Sequence, residues 1–180
     1  MVAAAAMFLA GLRQFLGRRS VDWSAVAIGA AAYAVALGVV NLAWGLQGRY
    51  VLLNVTLGAI WLAFGAAAAT SLWRGDDPAM RAPMAVAALL IGTLGVLTLL
   101  RGATIAIEGT GSMYGTPRAG AYYAYASIAV ILQTMNFLWM VFLRLQTRLA
   151  ELASRDALTR LLNRNGLDEQ LRRHFALRET

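Results

Sequence analysis

Four uninterrupted, uncharged stretches dominate the pattern of apolar and polar positions along the chain. They are Trp23–Gly48, Tyr50–Trp73, Ala82–Leu100 and Ala119–Leu143. Each has about the 20 residues that a helix needs to cross a hydrocarbon core of about 30 Å. Because the backbone must satisfy its own hydrogen bonds in lipid, the pattern predicts four transmembrane helices.

The first twenty residues differ from these stretches because a charge interrupts them early. Arg13 interrupts segment 1–20, and the apolar run before it is too short for a complete transmembrane span. The segment also lacks the basic start of an ordinary signal peptide. A helix lying along the membrane interface stays open, but we favour a short or truncated first transmembrane helix.

Composition agrees with a membrane protein. The 180 residues are 59% apolar, and the mean hydropathy is +0.59. The chain has no Cys, which excludes disulfides and Cys nucleophiles, and its lone His174 is too little for zinc. We therefore expect no metal site in this chain. The net charge of +7 comes from arginines beside apolar stretches, which indicates membrane orientation and no nucleic-acid binding.

Arginine placement predicts which ends of the spans face the cytoplasm. Arginines cluster in residues 13–19, in residues 74–81 and after Leu143, whereas, apart from Arg101, only Arg49 and Arg118 lie at the alternate ends. Cytoplasmic loops carry the excess of positive charge in membrane proteins. The pattern therefore places the carboxyl end in the cytoplasm.

Two ionisable residues near the third stretch are candidates for a sensing site. Arg101 and Glu108 are seven positions apart, so they share a helix face if the helix continues past Leu100. Ionisable groups at such depth usually face a cavity or a partner. One interpretation is an outward-open pocket for a small ligand or an anion, with Arg101 as its charge. The other is an arginine that reaches the outer headgroups, with Glu108 in solvent.

The remaining polar and small residues of the spans are interpreted as packing features. We expect the amides to join helices rather than to bind a ligand; they are Asn41, Asn54, Gln133 and Asn136. Small residues recur at helical spacing and predict close helix packing, as in Ala30, Ala34 and Gly38, in Ala59, Ala63 and Ala67, and in Gly65 and Ala69. No internal repeat is apparent, which weakens a transporter interpretation.

After the last span the apolar positions change to a heptad spacing. The seam is Leu138, Phe142, Leu145, Leu149 and Leu152, and no Pro or Gly interrupts it. Alternating steps of four and three predict a helix that leaves the membrane and pairs as a parallel dimeric stalk. An amphipathic helix end lying on lipid is the alternative.

The stretch that follows is polar and basic, and it carries a recognisable motif. Its letters D-x-L-T-x-L-x-N-R are supplied by Asp156, Leu158, Thr159, Leu161, Asn163 and Arg164. This resembles the entry motif of the GGDEF family, D-x-L-T-G-L-x-N-R, with Arg160 in place of the common glycine. The continuation N-G-L-D-E-Q-L resembles the first helix of that domain.

The resemblance implies an activity for the complete family domain. Domains of this family act as homodimers that join two GTP molecules into cyclic di-GMP, with Mg²⁺ stabilising the transferring phosphoryl group. The family's metal-binding, guanine-contacting and G-G-D/E-E-F segments have no counterpart in these 180 residues. We therefore expect no catalytic residue and no cofactor in this chain, and we expect the six motif residues to form a hinge.

The expected architecture is an all-α integral membrane bundle of four to five transmembrane helices. A cytoplasmic stalk helix follows it, and then the truncated start of an α/β GGDEF domain. The segments are the first helix in 1–20, the four-span sensor bundle in 21–143, the stalk in 144–154 and the incomplete domain in 155–180.

The leading functional hypothesis is the membrane sensor and signalling stalk of a diguanylate cyclase in the bacterial inner membrane. Its expected partners are the lipid bilayer, a second copy through the stalk, and a small-molecule or membrane stimulus of unknown identity. One alternative is a stand-alone membrane protein that dimerises with complete cyclases and modulates them. Another is a small transporter or a structural membrane protein.

Overall fold

The computed structural model describes residues 2–17, 22–74 and 78–153, which are helical and contain no strand. Four helices follow in order: α1 (Val2–Phe15), α2 (Trp23–Arg74), α3 (Arg81–Glu108) and α4 (Pro117–Ala153). Short 3₁₀ helices at Pro78–Met80 and Thr110–Met113 precede α3 and α4. The all-α expectation is confirmed for these residues. The hinge predicted at residues 156–164 lies outside them.

Three of the described helices are long and apolar enough to cross a membrane: Trp23–Trp73, Pro78–Glu108 and Pro117–Ala150. The first of them contains two of the predicted spans. α2 is interrupted at Gly45, whose φ of 59° and ψ of −145° are not helical. Segments 23–44 and 46–74 would measure about 33 and 43 Å, so each alone exceeds a hydrocarbon core of about 30 Å.

The break in α2 falls at glycine rather than at the charged residue that divides the two uncharged stretches. The helix continues through Arg49, and the chain bends at Gly45 instead. The bend is tight, because a Cβ on Gly48 would lie 2.7 Å from the Cβ of Trp44 and 3.3 Å from the carbonyl oxygen of Val40. Glycine alone adopts a positive φ at no steric cost, which explains the position of the break.

Glycines allow α2 and α3 to approach each other closely along an antiparallel seam. A Cβ on Gly65 would lie 2.9 Å from the Cα of Gly92, and a Cβ on Gly95 would lie 2.8 Å from the backbone nitrogen of Leu62. No larger residue fits at Gly65 or Gly95 without moving a backbone. In lipid, such close contact is a principal source of helix association.

The expectation of no internal repeat is wrong for these two helices, because a short sequence repeat builds this seam. Residues 56–66 read TLGAIWLAFGA and residues 93–103 read TLGVLTLLRGA, which share T-L-G-x-x-x-L-x-x-G-A. The Leu62 side chain covers Gly95, and in the same way the Leu99 side chain covers Gly58. Each copy therefore supplies a leucine that packs on the glycine of the other copy, so a local two-fold pseudosymmetry relates the two helices.

The predicted stripe of small residues in segment 23–44 does not mark a helix contact within the described residues. Ala30, Ala34 and Gly38 are exposed, and a Cβ on Gly38 would meet nothing within 4 Å. The large apolar residues of this segment, such as Leu42, are exposed as well. An apolar helix with this exposure is expected to face lipid.

Aromatic rings hold α1 against the rest of the bundle. Phe8 lies 6.0 Å from Phe64 and 6.3 Å from Phe137, measured between ring centroids, and Phe15 lies 5.8 Å from Phe137. On the same helix Leu12 is fully buried. α1 is apolar but shorter than the three long helices, and it packs onto them by its own side chains.

Long polar side chains connect α4 to α3. The hydroxyl of Tyr125 donates to the carbonyl oxygen of Leu90 at 2.9 Å, and Nδ2 of Asn136 donates to that of Pro83 at 3.0 Å. The expectation that amides join helices is thus confirmed for Asn136. Asn54 instead donates to the carbonyl of Tyr50 in its own helix.

Side chains cap both helix ends that border the loop between α3 and α4. Nε2 of Gln47 donates to the carbonyl oxygens of Ile105 and Ala106, at 2.9 and 3.1 Å. At the other end the hydroxyl of Thr116 accepts from the N–H of Ala119 at 3.2 Å, and Pro117 occupies the first helical position. These contacts satisfy backbone groups that helix ends leave unpaired.

Asp22 caps the beginning of α2 and makes that helix end sensitive to pH. Its carboxylate accepts from the N–H groups of Ser24 and Ala25 at 3.0 and 3.3 Å. The hydrogen bond from the Ser24 hydroxyl, together with these backbone bonds, holds the pKa of Asp22 below its ordinary value of 3.8. Because the folded-state pKa is lowered, the cap stabilises the helix fully above pH 3.8, and this stabilisation is lost as the pH falls from there through the lowered pKa of Asp22.

We expect the first turn of α2 to fray in the native protein as the pH falls through the lowered pKa of Asp22, and to stay ordered in Asp22→Asn. Asn caps a helix as well as Asp does but does not titrate. The carbon chemical shifts of Ser24 and Ala25, followed by NMR in micelles between pH 6 and pH 3, measure this. An equal pH response in both proteins would contradict the assignment.

Contacts divide the chain into two units, residues 1–137 and 138–180. In the second unit the described part is the end of α4. Its predicted seam residues are all exposed: Leu138 by 58%, Phe142 by 57%, Leu145 by 53% and Leu149 by 64%. The side chain of Leu152, the last seam residue, is outside the described set. An exposed apolar stripe of this kind is available for pairing with another helix.

Candidate functional site

Arg101 contacts two tyrosine rings from the first turns of α4. Its Cζ is 4.5 Å from the ring centroid of Tyr122 and 4.4 Å from that of Tyr123, and Nη2 donates to the Tyr123 hydroxyl at 2.5 Å. The two rings meet edge to face at 5.5 Å. Cation–π contacts with both rings hold the half-buried guanidinium in place.

Tyr114 completes the aromatic group around Arg101. Its ring stacks on that of Tyr123, with 6.3 Å between centroids and 11° between planes. Hydrogen bonding to Tyr123 raises the pKa of Tyr114 above its ordinary value of 10.0. Tyr114 therefore stays a neutral phenol at physiological pH, and it supplies no negative charge to Arg101.

Glu108 does not balance the charge of Arg101. Its Oε1 pairs with Nη1 of Arg118 at 3.2 Å, which joins the end of α3 to the start of α4. Both partners are largely exposed, and such pairs contribute only about 0–1 kcal/mol. Within the described part of the chain, no carboxylate lies within ion-pair distance of Arg101.

Arg101, Tyr122, Glu108 and Arg118 border one pocket of about 910 Å³. Its lining comes from the end of α3, the connecting loop and the start of α4: Leu97, Leu100, Arg101, Thr104, Glu108, Ser112, Thr116, Pro117, Arg118, Ala119, Ala121, Tyr122 and Tyr125. Arg101 and Glu108 thus border the same cavity, as their spacing of seven predicts. Two arginines and one glutamate give the lining a net positive charge.

The hydroxyl groups of the pocket already donate within the protein. Thr104 donates to the carbonyl of Arg101 and Ser112 to that of Gly109, each at 2.8 Å. Tyr125 donates to Leu90, across the helix contact described above. The donors left for a ligand are therefore guanidinium N–H groups, of which Arg101 uses one on Tyr123. This arrangement suits a ligand that accepts hydrogen bonds and carries negative charge.

A second polar feature lies further along α4. Gln133 and Asn136 are buried, with 3% and 5% of their surfaces exposed. Among the described residues, Nε2 and Oε1 of Gln133 and Oδ1 of Asn136 have no hydrogen-bond partner. Buried amide atoms without partners destabilise a fold by about 1–3 kcal/mol, so this position weakens the present packing of α4.

Sequence reasoning selected Arg101 and Glu108 but missed the residues that hold them. Tyrosines at the end of an apolar stretch are typical of the membrane boundary, and a single arginine there indicates only orientation, so neither pattern points to Arg101. Their spacing contains the missing signal, since an antiparallel helix that starts at Pro117 brings its first turns beside the last turns of α3. The described residues contain no group of three or more His, Cys, Asp or Glu that could hold a metal ion.

No protein-family model matches the chain, and neither a curated protein nor a solved structure matches it.

Proposed function

We propose that this chain is the membrane sensor and signal-transmitting helix of a diguanylate cyclase. One observation carries the proposal: α4 is an unbroken helix from Pro117 to Ala153. Its described length begins at the Arg101 pocket and reaches Ala153, shortly before Asp156, the first of the residues that resemble the GGDEF entry motif. At 1.5 Å per residue its 37 residues extend about 55 Å, which exceeds the hydrocarbon thickness by about 25 Å.

The faces of α4 support separate roles for its two sides. A helix turns about 100° per residue, so the seam from Leu138 to Leu149 lies about 180° from the stripe Ala129, Gln133 and Asn136. That stripe is buried, and the seam residues are exposed. A second copy can therefore pair along the seam while the opposite stripe keeps its contact with α3.

The topology that we propose has four crossings, with the carboxyl end in the cytoplasm. Segments 23–44 and 46–74 cross in opposite directions around the Gly45 bend, and α3 and α4 follow. This places Arg101, its tyrosines and the pocket at the outer side, and residues 13–19 and 74–81 inside. The excess of arginine on the inner side supports this orientation.

In this proposal a stimulus at the pocket changes the position or rotation of α4. Tyrosines and the ion pair between Glu108 and Arg118 join the start of α4 to α3. A change at the pocket would therefore shift the start of α4. A small rotation of the seam changes how two stalks pair. That pairing would bring two catalytic domains together or apart.

The test joins residues 1–180 in frame to the remainder of a GGDEF domain, in bacteria that lack other diguanylate cyclases. We expect Leu145→Asp and Leu149→Asp to lower cellular cyclic di-GMP about tenfold or more, since a charge in the seam opposes pairing. Thr147→Asp is the matched control, because Thr147 is exposed on the opposite face of the same turns. Unchanged cyclic di-GMP in both seam variants would contradict the stalk.

A second measurement reports pairing without any catalytic domain. The chain has no Cys, so a single introduced Cys gives an unambiguous signal. In membranes treated with an oxidant, we expect Leu149→Cys to form disulfide-linked dimers and Thr147→Cys to stay monomeric. Equal cross-linking at both positions would show that the seam does not face a second copy.

A further inference from the structure

The pocket around Arg101 has a second property besides its charge. Leu97, Leu100, Pro117 and Ala121 contribute an apolar wall beside the guanidinium. Leu100 and Ala121 are themselves exposed, so this wall is continuous with the outer surface of α3 and α4. A ligand that fills the pocket therefore contacts a cation at one end and hydrocarbon at the other.

From this combination we infer that the pocket binds an anionic amphiphile. Its carboxylate or phosphate group would accept N–H groups of Arg101, and its hydrocarbon chain would lie along Leu97 and Leu100. Two tyrosine rings already fix the guanidinium, so little side-chain freedom is lost on binding. A neutral ligand would leave the charge of Arg101 without a counter-ion, and a small inorganic anion would leave the apolar wall uncovered.

Two sources share this chemistry: an anionic phospholipid of the bilayer and a free fatty acid. Both offer a charged head at the depth of a membrane boundary and a chain that extends towards its centre. That this ligand is the stimulus rests on the proposed function. Binding itself does not, because it requires only the described residues of α3, α4 and the loop between them.

The experiment measures lipid selectivity of the purified chain in phosphatidylcholine bilayers by electron spin resonance. Spin-labelled stearate, phosphatidylglycerol and phosphatidylcholine are compared as probes, and the fraction of each that the protein immobilises is recorded. We expect stearate or phosphatidylglycerol to associate about tenfold more strongly than phosphatidylcholine, as a charge-assisted hydrogen bond allows. Selectivity for stearate alone would identify a free fatty acid, and selectivity for phosphatidylglycerol alone would identify a membrane lipid.

Arg101→Gln removes the charge and is expected to abolish this selectivity. Its matched control is Arg49→Gln, which makes the same change at an exposed arginine on the proposed outer side that does not border the pocket. Ala121→Trp is a second variant that fills the pocket and leaves Arg101 intact, and it should also lower selectivity. Each variant is first checked for native helix content by circular dichroism.

Equal association of all three probes with the native chain would overturn the inference. An equal loss in Arg101→Gln and Arg49→Gln would also overturn it, since general surface charge would then explain the selectivity. Because no catalytic domain takes part, these outcomes are independent of the cyclic di-GMP measurements above. If the native chain binds the anionic probe selectively but the same ligand leaves cyclic di-GMP unchanged in the fusion protein, the result would instead count against the proposed function.

Discussion

Replacing Gly65 with leucine is expected to lower the free energy of unfolding by about 3 kcal/mol or more, because the new side chain separates α2 from α3. A Cβ at this position already lies 2.9 Å from the Cα of Gly92, so the obstacle is backbone and cannot rotate away. Gly65→Ala should cost less, since a gain in helix propensity of about 1 kcal/mol offsets part of the clash. Titration with sodium dodecyl sulfate in mixed micelles, followed by circular dichroism, measures both.

Gly92 offers a matched control on the facing helix. It lies opposite Gly65, yet a Cβ on Gly92 would meet nothing within 4 Å. We therefore expect Gly92→Ala to leave stability unchanged or to raise it by up to about 1 kcal/mol. If Gly65→Ala and Gly92→Ala behaved alike, the close approach of the two backbones would be wrong.

Removing the unpaired amide of Gln133 should stabilise the protein. Met has nearly the shape of Gln without its polar ends, so Gln133→Met is expected to raise the free energy of unfolding by about 1–3 kcal/mol. The same detergent titration measures the change. In the fusion protein, a stimulus should also change cyclic di-GMP less in this variant than in the native sequence. Packing that favours one position of α4 opposes the movement of that helix.

Thr134 supplies the control for this substitution. It is the next residue of α4, it is exposed, and its hydroxyl donates to the carbonyl of Val130 in its own helix at 2.9 Å. Thr134→Val makes a comparable polar-to-apolar change and should alter stability by no more than about 0.5 kcal/mol. A loss of stability in Gln133→Met would show that the Gln133 amide is in fact satisfied, by a water molecule or by another residue.

Gly65 and Gln133 indicate that the α2–α3 contact is rigid and that the α3–α4 contact can move. The α2–α3 seam has glycine on both sides and backbone against backbone, so small displacements of the helices create clashes. The α3–α4 contact uses flexible tyrosine and asparagine side chains, and beside them lies an amide without a partner. In the proposed function, a stimulus would therefore move α4 against a fixed pair formed by α2 and α3.

Sequence alone determined the helical class and the apolar segments. Runs of about twenty uncharged residues leave the backbone no alternative to helix in lipid, and this dictates α3, α4 and the two parts of α2. The heptad seam after Leu138 also follows from spacing alone, because i, i+3 and i+4 positions share a face in any helix. So does the placement of Arg101 and Glu108 on one side of α3.

Only the tertiary structure decided which small residues make contacts. Ala30, Ala34 and Gly38 have the spacing of a helix interface and are exposed, whereas Gly65 and Gly95, one in each copy of the repeat, bring the backbones of α2 and α3 together. Spacing defines a face but does not say what lies opposite that face. The repeat is visible in the sequence, but only the antiparallel pairing of its two copies shows that it forms a helix contact.

The environment of Arg101 likewise depended on the fold. Tyr122 and Tyr123, more than twenty positions away, supply the rings and the hydrogen bond that hold Arg101. Glu108 shares a helix face with Arg101, but its carboxylate pairs with Arg118. The sequence determined that a charge occurs at the end of an apolar helix, because residue type and position are local. Its partners were decided by where α4 begins beside α3, and that is a property of packing in three dimensions.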